Sequence, residues 1–356
     1  MNLSREDLQN AVDRHILNQQ QADQLWEMLM NRSLAESRFN FASVIYYLGA
    51  FIILAAMIWL ASLGNEQLGG FGLFFITLAY TLLFASLGLY LWNQTIYRVG
   101  GGVLCALAVC TVPLMIYGLE KGLGFWPTFS FSHFDEVAYR NYEIVSHRYW
   151  LTLEVGTIIA ALIALYFIRF PFIMVPLLLA LWFLTLDAVA ILQGAEELSN
   201  RAYEWVSLLF GMGALITAYI LDKRVYQDFA FWAYLIGLMA TSGSLIGLMM
   251  VGTNEWLRLG YACINLLFLF LAILLNRQSF LVFGALGVFA YLCYLVYGVF
   301  HDSLLFPLVL SVLGVGVIYI GILYTKHQQT IQQALLWCLP EKIRKALPSH
   351  QTKFRE

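Results

Sequence analysis

Three ionisable side chains stand inside long apolar runs, where a charge costs about 2.5–3.5 kcal/mol at the bilayer centre. They are Glu154, Asp187 and Arg258. Such a cost needs a reason. Glu154 and Asp187 flank the turn Arg169–Pro171, so the two helices that carry them run antiparallel and adjacent. At 1.5 Å per residue, all three groups lie about 5–9 Å below one membrane surface. Two carboxylates with a nearby arginine form an arrangement that binds a proton, a cation or a zwitterion. Arg258, Tyr261 and Asn265 follow at i, i+3 and i+7, one helical face that carries polarity from that surface toward mid-membrane. Thr241, Ser242 and Ser244 offer hydroxyls at similar depth. The competing reading is interhelical hydrogen bonding plus one structural ion pair.

A second row precedes this one. Glu143, His147 and Glu154 share a face, at spacings of 4 and 7, provided their helix begins early. The row reads as a proton relay into the membrane, with a metal site the weaker reading. Around it, Phe125, Trp126, Phe129, Phe131, Tyr139 and Tyr142 suit a cap at headgroup level, which also contains His133 and Asp135. No phosphate-binding loop, nucleophile elbow or HExxH helix is present. No catalytic residue, metal or cofactor is therefore expected.

The elements that must position these residues are membrane spans. Of 356 residues, 61% are hydrophobic and only 12% charged, about half the charge of a soluble domain. About 20 apolar residues cross the hydrocarbon core. Ten runs qualify, at 42–63, 70–92, 99–118, 150–169, 171–193, 203–221, 228–251, 255–275, 279–300 and 303–325. The basic residues between them alternate. Sorting the connections by side places 15 Lys and Arg with the two termini and 5 opposite, and the opposite side carries 12 of the 22 acids. The positive-inside bias puts both termini in the cytoplasm and Glu154, Asp187 and Arg258 near the outer surface. The first 41 residues are polar, so no cleavable signal peptide is expected. None of the five cysteines lies in an outer loop, and a disulfide framework is not expected.

The expected organisation is all-α. Residues 1–41 form a cytosolic helical hairpin, 42–325 a transmembrane bundle with a long outer loop at 119–149, and 326–356 a basic amphipathic tail. Ser4 and Asp7 give the hairpin a capping box, and Leu8, Ala11, Val12 and Ile16 give it one apolar face. In the tail, Ile331, Ala334, Leu335 and Cys338 share a face next to a basic stretch, the pattern of an interfacial helix on anionic lipid. Ten spans also divide into two five-helix halves, which as a repeat would insert in opposite senses.

The stretch His15-Ile16-Leu17-Asn18-Gln19-Gln20-Gln21-Ala22, then Leu25, then Tyr47-Leu48-Gly49-Ala50-Phe51-Ile52, resembles a bacterial family. It is the set of membrane proteins grouped as domain of unknown function 2157, and the resemblance covers roughly residues 1–140. The family typically has a Gly-Ile-Ile-Ser/Thr turn, where this chain has His15 and Asn18. The resemblance implies a bacterial inner-membrane setting and supplies no catalytic residues.

The functional expectation is a carrier or binding protein for a small solute or lipid, with an outward-facing polar pocket. Glu154 and Asp187 take a cation or proton, Arg258 an anionic group, and Tyr261 and Asn265 line the path. The alternatives are a membrane-anchored sensor that recruits a cytosolic partner or a second copy through its hairpin, and an outer-face transferase or hydrolase acting on lipid-linked substrate. With a net charge of −2, a nucleic-acid partner is not expected.

Overall fold

The computed structural model describes residues 41–126, 136–193, 200–224, 229–250, 254–275 and 277–300, with isolated positions elsewhere. The hairpin, the tail and most of the tenth span lie outside the described residues. The helices are α1 (Phe41–Gln67), α2 (Gly69–Trp92), α3 (Arg98–Gly122), α4 (Glu136–Phe167), α5 (Met174–Gln193), α6 (Asn200–Arg224), α7 (Phe229–Leu245), α8 (Glu255–Leu275) and α9 (Gln278–Phe300). A π turn, Ile246–Met250, continues α7.

All nine of these helices are long and apolar enough to cross a membrane. A helix satisfies its backbone polar groups internally, which hydrocarbon requires. The large apolar side chains point outward: Ile58, Trp59, Phe75, Tyr166, Phe167 and Leu209 are all exposed. Lipid, not water, suits such a surface. The protein is a multi-pass membrane protein.

Two apolar cores fill the bundle. Val103, Leu107 and Val109 of α3 centre the first, with Phe84, Ala161 and Phe170 around them. Tyr234, Ile236 and Leu238 of α7 centre the second, with Ala218, Phe268 and Phe280. Helix α5 joins them, placing Leu177 in the first and Leu178 in the second.

Glycine lets paired helices approach. A Cβ on Gly101 would lie 2.5 Å from the Trp92 backbone N, and one on Gly118 2.7 Å from that of Phe74, so α2 and α3 touch along their backbones. Gly211 does the same between α6 and α7, 2.8 Å from the Thr241 N, and Gly284 between α8 and α9, 2.9 Å from the Asn265 O.

Several pairings recur with a period of four helices, although α3 packs directly on α4 whereas α8 meets the end of α7 through the π turn. In the first set α2 packs on α3, α4 on α5, and α1 on both α2 and α3. In the second, α6 packs on α7, α8 on α9, and α5 on both α6 and α7. A shift of four spans is even, so both sets run through the membrane in the same sense. Two inverted five-helix halves, the division that the count of ten suggests, do not match this pairing.

One end of the bundle has the long connection, now 123–135 because α4 begins at Glu136 and not at 150. The opposite end has the tight α4–α5 turn, where Phe170 precedes Pro171. These are called the long-loop end and the tight-turn end.

Candidate functional site

The tight turn fixes the geometry. Phe170 has an extended backbone and Pro171 starts the next short helix, so the chain reverses within a few residues and α5 returns along α4. Glu154 lies thirteen residues before the end of α4, and Asp187 thirteen after the start of α5. Both therefore lie about 20 Å along their helices from the turn. Asp187 is the charged neighbour that acts on Glu154.

Glu154 is 6% exposed; as a carboxylate it accepts no hydrogen bond, but it lies within hydrogen-bond reach of the Asp187 carboxyl. Its helix neighbour Thr157 bonds to the Leu153 carbonyl at 2.6 Å and gives it nothing. Two turns nearer the long-loop end, His147 Nδ1–H donates to Asp187 Oδ1 at 2.9 Å. The early start of α4 makes this contact available. It places Glu143, His147 and Glu154 on one helix, with the expected spacing. The Glu143 side chain lies outside the described residues, as do His133 and Asp135.

A further acid borders the site. Glu120, at the end of α3, accepts a hydrogen bond from the Thr152 hydroxyl through Oε1, while its Oε2 is buried without a partner. On α6, Glu204 packs against Gly247 of the π turn, where a Cβ would collide with its carboxylate. Sequence analysis singled out neither residue. Their signal was the excess of acids at this end.

Arg258 lies elsewhere. Its guanidinium bonds to the Glu255 carboxylate and the Tyr294 hydroxyl, and it stands 4.4 Å over the Tyr294 ring. The Tyr294 hydroxyl donates to Glu255 Oε1 at 2.9 Å. This cluster ties α8 to α9 as His147 and Asp187 tie α4 to α5, at the corresponding place in the second helix set. The expected grouping of Arg258 with the two carboxylates is corrected accordingly. Equal depth does not make neighbours, and α8 packs on α9 and the π turn.

Tyr261 and Asn265 are likewise relocated. Both are buried, Asn265 Nδ2 donates to the Tyr261 carbonyl at 2.9 Å, and its side chain occupies the space that Gly287 of α9 leaves. They join α8 to α9. Thr241 and Ser244 bond to carbonyls of their own helix, at 2.7 and 2.6 Å.

Among the described residues, no three His, Cys, Asp or Glu side chains converge as a metal cage. Two apolar grooves open on the bundle. One of about 280 Å³ lies between α2, α3 and α4, and one of about 740 Å³ between α6, α7 and α8. The acidic group can do one kind of chemistry with its own atoms: hold a proton or small cation between Glu154 and Asp187, and pass protons through the His147 ring.

No family model, curated protein or solved structure matches the chain.

Proposed function

We propose that the protein is a carrier for a small solute or lipid, in which Glu154, Asp187 and His147 take up a proton or cation. The observation that carries this reading is Glu154. A buried polar group without a hydrogen bond costs about 1–3 kcal/mol, and more when charged. A proton or cation held between Glu154 and Asp187 lets the two carboxyls meet, which they cannot do as bare carboxylates. His147 lies toward the long-loop end of the same helix and stands between Glu154 and the surface.

In this reading the long-loop end faces outward and both termini lie in the cytoplasm. The 15-to-5 division of basic residues supports the orientation. Solute specificity would reside in the groups around the three residues, among them Glu120, which Thr152 of the same helix bonds.

The test is charge displacement in proteoliposomes adsorbed on a solid-supported membrane, after separate jumps in proton and sodium concentration. The wild type is expected to give a transient current on one of the two jumps. Glu154→Gln with Asp187→Asn should reduce it to the level of empty liposomes while the protein still inserts. Equal currents from the wild type and the double variant would refute the reading.

A further inference from the structure

His147, Asp187 and Glu154 do not surround one point. His147 and Glu154 stand seven residues apart on α4, about 10 Å along its axis. Asp187 of α5 lies between them, bonded by His147 at 2.9 Å and within hydrogen-bond reach of Glu154. We infer that the ion of the carrier is a proton, passed from His147 through Asp187 to Glu154, and that sodium is not bound. The inference rests on the carrier reading and gives that site its ion and its order of transfer.

The row has the shape of a relay. His147 opens the apolar span of α4, at the membrane surface. Exposure then falls inward, from 21% for the His147 side chain to 15% for that of Asp187 and 6% for Glu154. The His147 ring presents Nδ1 to Asp187, with Nε2 turned away from it. A proton that arrives at Nε2 makes the ring an imidazolium, and the Nδ1 proton then passes to Asp187 Oδ1. Asp187 hands a proton to Glu154 and is left a carboxylate. One proton has moved inward, and the ring has become the Nε2–H tautomer, which regains its Nδ1 proton by exchange with water. An imidazole suits this step because it gains and loses a proton near neutral pH.

A sodium ion needs a shell of oxygens, which carriers draw from unwound helices. Neither helix is unwound here. Helix α4 runs unbroken over Glu136–Phe167 and α5 over Met174–Gln193, so the carbonyls at this level are engaged in helix bonds. Thr157 and Thr185 turn their hydroxyls back to the Leu153 and Trp182 carbonyls. The third member of the row is a nitrogen base, a poor ligand for a hard cation. The other charges on the packed helices do not complete a shell. Glu120 of α3 is bonded by Thr152, and Glu204 of α6 lies against Gly247. Lys121 of α3, Arg148 of α4 and Arg201 of α6 are cations, and α7 brings no charge. Glu143 precedes His147 by one turn, on the long-loop side of the row.

The test is infrared difference spectroscopy on the full chain reconstituted in lipid, with pH and sodium varied separately. Lowering the pH in sodium-free buffer is expected to produce a carboxylic-acid carbonyl band, which Glu154→Gln removes in protein that still inserts. Adding sodium at fixed pH should leave the carboxylate bands unchanged. After flash release of a caged proton, the band should rise about 100-fold more slowly in His147→Asn, within the range for a positioned proton-transfer group, and reach the same final amplitude. Asparagine keeps an N–H for Asp187 but cannot carry a proton onward, so a merely structural role for His147 would leave the rate unchanged. A carboxylate shift on adding sodium, or an unchanged rise in His147→Asn, would overturn the inference. The carrier reading fails separately, when the proton band is present and the proton-jump current is absent.

Discussion

Glu154 carries a cost that its helix does not need. An unsatisfied buried polar group destabilises by about 1–3 kcal/mol, and a leucine of similar volume would remove that term. Glu154→Leu is therefore expected to raise the midpoint of thermal unfolding in detergent by a few degrees while abolishing the charge-displacement signal, as substitutions at strained functional sites do. A lowered midpoint would show that the carboxyl stabilises the bundle. The proximity of Glu154 and Asp187 was legible in the sequence, because a charge within an apolar run is conspicuous and the short turn at Arg169–Pro171 forces neighbouring antiparallel helices. The His147–Asp187 contact was not legible. It depends on the rotation of α4 about its axis, and the spacing of residues on one helix leaves that rotation open. Arg258 was assigned to the wrong cluster because depth in the membrane carries no information about which helices touch.

At the scale of elements, glycine sets the distances. Leucine at Gly101 or Gly118 would push α2 and α3 apart, since even a Cβ meets backbone atoms there. Each substitution is expected to cost about 1–3 kcal/mol or more, the range for overpacked sites. Leucine at Gly49 or Gly213, where a Cβ meets nothing within 4 Å, should change the unfolding midpoint little. Equal effects at both classes of position would contradict the packing described. The helices themselves were readable from runs of about 20 apolar residues. Their partners were not, because several spans hold more than one glycine and the sequence does not say which of them face a neighbour.

At the scale of the molecule, the repeat escaped the sequence because contacts recur where chemistry does not. Near the same end of the two sets, Phe170 packs on Trp92 and Arg277 pairs with Asp222, contacts with nothing in common as residue types. Orientation rests on charge alone and is open to direct measurement. In intact cells, a cysteine at Leu123, an exposed residue at the long-loop end, should react with an impermeant maleimide, and one at Lys223 only after the cells are opened. The reverse pattern would invert the topology and place Glu154 near the cytoplasmic face.

The central claim is that Glu154 is a carboxyl poised to take a proton in an apolar setting. A hydrophobic carbodiimide tests it, because such reagents convert a protonated carboxyl within the membrane to a stable acylurea. Peptide mass mapping of the labelled protein should find the adduct on Glu154. Labelling should fall as pH rises, and Glu154→Gln should remove the adduct. An unmodified Glu154 at every pH, in protein that remains folded, would contradict the account.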